Sequence, residues 1–296
     1  MTADTIIDND TSVDLELLED FFQNAPVGFV MTEADGVPAT YNRAFAVLAQ
    51  LPWPERVPVP AFRPQPMPTI PADGTPVTDI PIIIPGSTRR LLANALTRPD
   101  GRTLWVIRPD LRHAIPSVDE DPTEYLRPTP ELIAENDALA WAEELGAATD
   151  VRPIIRAFSP EQAERRQREL DEFITNAPAA IHLVDVRGNV MYANAIDLAV
   201  AGFADEPELF VGGAVRGAYA EPAVLEDLLG RWDSGLATLN FRARLVNRAG
   251  AVLPVVIFSN SRFDDGGFRN TRDVVFVDPE LNTPPTRTRR FTWPQD

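Results

Sequence analysis

The sequence has no cysteine and only two histidines, His113 and His182, among 296 residues. The absence of cysteine excludes disulfides, thiol nucleophiles, thiolate metal sites and covalent cysteine–flavin photochemistry. Two histidines so far apart in the chain do not predict a structural zinc site, and we expect no metal. The sequence also lacks three common catalytic or phosphate-binding motifs: Gly-x-Ser-x-Gly, Gly-x-x-x-x-Gly-Lys-Ser/Thr and His-Glu-x-x-His. We therefore predict a protein that is not an enzyme.

Positive charge and long apolar runs are scarce as well. The net charge is -17 and the isoelectric point is near 4.5. Nucleic acids and anionic membranes are bound mainly through cationic surfaces, so we expect neither as a partner. No run of about 18 apolar residues is present. The acidic N-terminus lacks the basic and apolar regions of a signal peptide, and we expect a cytoplasmic protein.

A duplication organises what is present. The segment LEDFFQNAPVGFVMTEADGVPATYN, residues 18–42, matches LDEFITNAPAAIHLVDVRGNVMYAN, residues 170–194, without a gap and 152 positions apart (Leu18 and Leu170). Each copy predicts a helix that ends at Asn-Ala-Pro, an apolar strand, a glycine turn and a second strand. Proline cannot continue the helix, because it has no N–H and disfavours the α conformation of its predecessor. The repeat predicts two related domains.

The duplicated segment resembles the start of a PAS domain. The later copy also has a C-terminal part, residues 241–278, that is similar to the three-stranded end of PAS sensor modules in bacterial histidine kinases. Its Arg-Leu-x-x-x-x-Gly hairpin (Arg244 to Gly250) precedes a strand ending in Ser259-Asn260. The resemblance implies an α+β fold: two PAS-like domains, each a five-stranded antiparallel sheet with flanking helices, joined by a helical linker.

The predicted organisation has five parts. In order, they are a disordered acidic tail (1–13), a degenerate PAS-like domain (14–112) with a proline-rich insert (52–85), a linker with a helix (113–158), a PAS domain with an N-terminal helix (159–279) and a C-terminal tail (280–296). Eleven prolines in the insert predict extended coil instead of helix or central strand. We expect a loop that covers the sheet, with a docking surface for a proline-reading partner as the alternative.

The helix before the second domain has a clear start. Ser159 and Gln162 form a predicted capping box, and Pro160 occupies the first turn. Four apolar residues follow one stripe of this helix: Ala163, Leu170, Ile174 and Ala177. The stripe can pair with another copy across a dimer or pack on its own sheet, and the sequence leaves both interpretations open.

The predicted ligand site of the second domain combines aromatic and polar residues: His182, Tyr192, Asn194, Phe203, Phe210, Trp232, Phe241 and Arg242. The resemblance places these residues on elements that surround a central cavity, with His182, Asn194 and Arg242 as polar anchors. The alternative is that the aromatic residues only fill the core. His182 cannot be the usual haem ligand of such domains, because that histidine lies on the long helix, and residues 221–232 contain none.

The resemblance implies a non-enzymatic sensory or adaptor protein of bacterial signal transduction that acts through protein–protein contacts. The expected partners are a second copy in a homodimer, or a histidine kinase or response regulator. The alternative is a small-molecule receptor that binds haem, flavin or a metabolite in the second domain. The sequence does not identify a cofactor.

Overall fold

The computed structural model describes residues 14–51, 61–85, 90–110, 158–235, 237–264 and 267–278. Both predicted terminal tails and the predicted linker helix lie outside these residues. Within them, ten strands form two five-stranded antiparallel sheets with flanking helices, so the predicted α+β class is confirmed. None of the described helices is both long and apolar enough to cross a membrane.

The N-terminal half contains the first sheet, in the order β2-β1-β5-β4-β3. Asp14 caps its first helix by accepting a hydrogen bond from the Glu16 backbone N–H at 3.0 Å. The elements are α1 (Leu15–Asn24), β1 (Gly28–Thr32), β2 (Pro38–Tyr41), α2 (Arg43–Leu48), β3 (Val77–Ile82), β4 (Leu91–Thr97) and β5 (Thr103–Pro109).

The C-terminal half repeats this order as β7-β6-β10-β9-β8. The predicted capping box is confirmed, since Ser159 and Gln162 exchange side-chain and backbone hydrogen bonds of 2.8 and 3.3 Å. The elements are α3 (Pro160–Asn176), β6 (Ala180–Val184), β7 (Val190–Ala193), α4 (Ala195–Ala201), α5 (Pro222–Asp233), β8 (Thr238–Val246), β9 (Val252–Asp264) and β10 (Gly267–Val277), with two 3-10 turns at Pro207–Leu209 and Val215–Ala218.

One local prediction was wrong, and one strand departs from regular alternation. The proline-rich insert was predicted as coil, yet it contains strand β3, which lies at the edge of the sheet and pairs with β4 among the described strands. An edge strand needs hydrogen bonds on one side only and therefore tolerates Pro81. In β8, regular alternation would place Leu239 on the same face as Phe241. A bulge at Asn240, with φ of 55°, separates them, and Leu239 packs with the other core cluster.

The two halves share one continuous apolar core. Helices α1 and α3 pack against each other, and the Phe173 ring lies 5.2 Å from the Phe22 ring and 5.3 Å from the Phe29 ring. The outer face of the C-terminal sheet, represented by Ile181 and Phe258, belongs to the same cluster. The stripe of α3 therefore belongs to a cluster that includes the outer face of its own sheet, as one sequence-based alternative had it, together with α1 and the N-terminal sheet.

Polar contacts across the halves accompany this core. Arg166 of α3 donates to both carboxylate oxygens of Glu19 in α1, at 3.1 and 3.0 Å. Asn94 of β4 donates to the carbonyl oxygen of Pro178 at 2.7 Å. Each of the two helices that precede the sheets thus contacts the opposite half, as in an internal dimer of two related units.

Candidate functional site: a buried polar cluster

The inner face of the C-terminal sheet is the face that α4 and α5 cover. Alternation along β6 directs Ala180, His182 and Val184 to this face. Ala180 and Val184 are buried in the same apolar cluster as Leu228 of α5. His182 is thus a polar side chain placed in the middle of an apolar layer.

Two carboxylates face the buried histidine. The Nδ1 atom of His182 lies 3.2 Å from Oδ2 of Asp197, the third residue of α4, and its Nε2 atom lies 3.9 Å from Oδ2 of Asp273 in β10. The exposed fractions are 5 % for His182, 3 % for Asp197 and 0 % for Asp273. The Asp197 contact is an ion pair without the alignment of a hydrogen bond. We call these three residues the polar cluster.

The charges in the polar cluster shift the titration of its members. Burial by itself lowers the pKa of His182, but the Asp197 and Asp273 carboxylates outweigh it and raise that pKa to about 9. Burial raises the pKa of Asp273, while His182 and hydrogen bonds from Ser259 and Thr271 act in the opposite direction. At neutral pH, His182 is an imidazolium whose two N–H groups face acidic partners.

Hydroxyl groups and one indole surround Asp273. Trp232 of α5 donates its indole N–H to Oγ of Ser259 at 2.8 Å. Thr271 in turn donates a hydrogen bond to the Asp273 carboxylate, and the Ser259 hydroxyl acts to lower the pKa of Asp273. Thr271 also accepts a hydrogen bond from the Val184 backbone N–H at 3.1 Å. The cluster is therefore tied to three strands and to α5.

Tyr219, which follows the second 3-10 turn, completes the surroundings. It is buried, and burial raises the pKa of its phenol well above the ordinary value, with Asp273 and Asp197 adding to the shift. Its hydroxyl therefore stays protonated at physiological pH and remains a hydrogen-bond donor.

The N-terminal half has no such cluster at the equivalent positions. Val30 corresponds to His182, Phe45 to Asp197, and Trp105 to Asp273 by strand register. Phe62, from the proline-rich insert, packs edge-on between the Phe45 and Trp105 rings, with centroids 5.3 and 5.2 Å away. One copy of the duplicated fold thus fills its interior with aromatic rings, and the other buries charge there.

The polar anchors predicted from the sequence lie in different places. Only His182 is part of the polar cluster. Asn194 is a structural cap, which accepts the backbone N–H groups of Ile181 and Asp197 at 3.0 and 2.9 Å. Arg242 precedes Ala243, an inner-face residue, so strand alternation directs it to the outer face. Burial lowers the pKa of Arg242, and Asp278 acts against this shift.

The predicted aromatic residues also divide into groups. Trp232 is buried beside the cluster, and Phe241 is half-buried on the inner face. Phe203 and Phe210 stack on each other at 5.3 Å in the turn after α4. Tyr192 packs with the interface core, with its hydroxyl 3.4 Å from that of Thr175. As a ligand site, the complete set remains a prediction.

Sequence reasoning missed Asp197, Asp273 and Tyr219. A signal for the first two was present. Extending the gap-free repeat by three residues aligns Asp197 with Phe45, and Asp273 directly precedes the apolar run Val274–Val277 of β10. A carboxylate where the duplicate has an apolar residue is the pattern that indicates a buried functional group.

The cluster does not fit haem or a metal ion. Both ring nitrogens of His182 face carboxylates, so neither is free for axial ligation, and the raised pKa keeps both protonated. Within the described residues, no group of three His, Cys, Asp or Glu side chains has the geometry of a metal site.

Comparison with solved structures finds protein domains to which parts of this chain are similar in fold. The PAS domain of an HTR-like protein from Haloarcula marismortui is 14% identical with a TM-score of 0.35, over 40% of this chain and 96% of that chain. A PAS domain from a two-component sensor histidine kinase is 15% identical with a TM-score of 0.34, over 40% of this chain and 100% of that chain. A light-oxygen-voltage domain studied with a flavin analogue is 18% identical with a TM-score of 0.33, over 38% of this chain and 86% of that chain.

Because the identities and TM-scores are low, these structures assign neither a ligand nor a partner to this chain. No protein-family model matches the sequence, and no curated protein matches it. The fold itself is PAS-like: a helix that ends at Asn-Ala-Pro leads into a five-stranded antiparallel sheet, and the chain does this twice.

Proposed function

We propose that this protein is a non-enzymatic sensory module whose C-terminal half receives a chemical signal at the polar cluster. The observation that carries the proposal is the contrast between the duplicated halves. A charged triad is retained at the positions where the other half is filled by Val30, Phe45 and Trp105. Burying charge destabilises a fold compared with a well-packed apolar core, so the cluster is better explained by a function than by stability.

The chemistry of the cluster favours a small polar ligand over a large cofactor. Two carboxylates share one imidazolium, so the interior has more acidic than basic groups, and Tyr219 adds a hydroxyl. Such a site suits a compact ligand that is rich in hydrogen-bond donors. Because the three ionisable residues are almost completely buried, none presents a reacting group to bulk solvent, which supports a role in binding and not in catalysis.

We propose that the protein passes its signal on through contacts with other proteins. The N-terminal half, with its interior filled by its own aromatic rings, is the part we assign to contact with a signalling partner such as a histidine kinase or response regulator. We further propose a cytoplasmic location and domain limits of 14–112 and 159–279.

The outer sheet face and the α3 stripe, which a symmetric homodimer would use, are already covered within the chain. A homodimer would therefore need another surface.

Native mass spectrometry and an absorption spectrum of the freshly purified full chain test the proposal. We expect a fraction of the wild-type protein to carry extra mass of a small molecule without visible colour, and this adduct to be lost in Asp273→Asn. Asn24→Ala, which changes the α1 end outside the cluster, is the matched control and keeps the adduct. A wild-type mass equal to that of the bare chain, whatever the purification conditions, would contradict the receptor role.

A further inference from the structure

Two adjacent strands carry polar residues through the full thickness of the C-terminal sheet. Ser259 of β9 and Asp273 of β10 are cross-strand partners on the inner face, where both belong to the surroundings of His182. The next pair in the register is Asn260 and Arg272. Successive side chains of a strand alternate between faces, so this pair points to the outer face.

The outer pair holds helix α1 of the other half. Arg272 is 1 % exposed, and its Nε and Nη2 atoms each donate to a carboxylate oxygen of Asp20 at 2.8 Å. Its Nη1 atom donates to Oδ1 of Asn260 at 3.1 Å. Asn260 in turn donates its amide to the carbonyl oxygen of Asn24 at 2.7 Å. Both residues of the pair therefore bind α1, one at mid-helix and one at its end.

These contacts make α1 follow the strand. A buried guanidinium that leaves its carboxylate becomes an uncompensated charge in an apolar interior. The two parallel N–H···O bonds also fix the orientation of the Arg272 side chain and not only its distance from Asp20. A small displacement of β10 at Asp273 therefore reaches α1 through the adjacent residue.

The N-terminal half has no equivalent connection. By strand register, its inner pair is Ala95 and Trp105, and its outer pair is Leu96 and Leu104. All four side chains are apolar. At these two pairs, a polar connection through the sheet is therefore present in the C-terminal half and absent from the N-terminal half, whose sheet contacts the other half through Asn94 instead.

We propose that the Ser259–Asp273 and Asn260–Arg272 pairs transmit changes in the polar cluster to helix α1, which is the output element of the protein. The inference rests on the proposed function, because it takes the cluster as the point where the signal is received. It adds the contact that carries the change, which is the buried ion pair between Arg272 and Asp20 that joins the two halves. It also identifies α1 as the element that responds.

The test uses the full chain with Asp273→Asn as a fixed change in the cluster. Fluorotryptophan NMR of the Trp232 signal reports the cluster, because the Trp232 indole donates to Ser259, the cross-strand partner of Asp273. Backbone hydrogen exchange of residues 18–24 reports α1. We expect Asp273→Asn to shift the Trp232 signal and to increase exchange in α1 by about threefold or more.

The ion pair of this connection is then removed with Asp20→Asn and Arg272→Gln, which eliminates both charges together and shortens the arginine side chain. In this background, Asp273→Asn still shifts the Trp232 signal but no longer changes exchange in α1. The matched control is Glu19→Gln with Arg166→Gln, which removes an ion pair between α1 and α3 but not the contact with β10. In the control, the threefold effect of Asp273→Asn persists.

Two results would overturn the inference. One is an α1 response to Asp273→Asn that persists after the Asp20–Arg272 charges are removed. The other is a shifted Trp232 signal with no change in α1 exchange in the wild-type background. Failure of the proposed function is distinguishable, because it appears as the absence of a ligand adduct on the wild-type protein and not in these exchange rates.

Discussion

At the scale of single residues, Asn42 and Asn194 show how one side chain positions a whole element. The Oδ1 atom of Asn42 accepts the backbone N–H groups of Phe29 and Phe45, at 2.8 and 2.9 Å, so it joins the first strand to the cap of the following helix. Asn194 makes the equivalent pair of bonds 152 positions later, to Ile181 and Asp197. Through its bond to Asp197, this cap also places one carboxylate of the polar cluster.

We predict that Asn194→Ala and Asn42→Ala each lower the free energy of unfolding by about 2–4 kcal/mol, because each leaves buried backbone groups without a partner. Urea denaturation provides the measurement. Asn176→Ala, which removes one exposed bond to the Glu172 carbonyl at 2.7 Å, is the control and costs less than about 1 kcal/mol. Equal losses at all three positions would contradict the structural role.

The raised pKa of His182 predicts how stability depends on pH. The value in the folded protein is about 9, compared with 6.5 for an ordinary histidine. Protonated His182 therefore stabilises the fold fully below pH 6.5, and this contribution disappears as the pH rises through 9. The groups that face His182 are Asp197, Asp273 and, nearby, Tyr219, and burial also raises the pKa of Asp273.

The measurement is the free energy of unfolding between pH 6 and pH 9.5. We expect the wild type to lose up to about 3 kcal/mol across this range, and His182→Gln to lose much less. Arg187→Gln removes an exposed cation next to the β6–β7 turn and is expected to retain the wild-type slope. The result to be compared is the slope, so a lower overall stability of His182→Gln does not affect the test. Parallel slopes for the wild type and His182→Gln would show that the histidine is not the titrating group.

At the scale of elements, the bulge in β8 determines which side chains reach the interior. Asn240 has φ of 55°, a conformation that asparagine and glycine tolerate better than branched residues. Because of this bulge, Phe241, Ala243 and Leu245 pack with the inner cluster while Leu239 does not. The backbone conformation of Asn240 therefore determines which side chains of β8 face α5.

We predict that Asn240→Val destabilises the protein by about 1–2 kcal/mol, because valine is strained at positive φ, whereas Asn240→Gly leaves stability within about 1 kcal/mol of the wild type. Thermal or urea denaturation ranks the three proteins. Strand propensity alone predicts the opposite order, with valine the most stable, and that order would exclude the bulge as the determining feature.

At the scale of the whole molecule, the two halves form a single packed unit. Phe173 inserts between rings of the N-terminal half, and Arg108 of β5 lies 4.3 Å from the Phe276 ring centroid in the C-terminal sheet. The Asp20–Arg272 pair lies inside this interface. Neither half could be separated without exposing an apolar sheet face and breaking a buried ion pair.

We therefore predict one cooperative unfolding transition. Fluorotryptophan signals of Trp105 and Trp232, one in each half, should disappear at the same denaturant concentration. Phe173→Ala should lower both midpoints together, by a free energy of about 3–5 kcal/mol, while Val186→Ala, at an exposed turn residue, should leave them unchanged. Separate midpoints for the two signals would mean that the halves unfold independently.

The sequence by itself determined the local structure and the repetition. The Ser159–Gln162 box set the start of α3, Asn-Ala-Pro set the helix ends, and apolar patterns indicated strands outside the proline-rich insert, because all of these depend on residues close together in the chain. The missing strand, β3, lies among prolines, where local propensity argues against a strand and only pairing with β4 favours one.

The tertiary structure decided the site and the relation between the halves. His182, Asp197 and Asp273 meet because strand order places β10 beside β6 and because the register sets Asp273 opposite His182. The stripe of α3 is compatible with any apolar surface of suitable shape, and only the packed chain shows that this surface is α1 and the N-terminal sheet. Contacts between residues distant in sequence depend on topology and register, which local patterns do not specify.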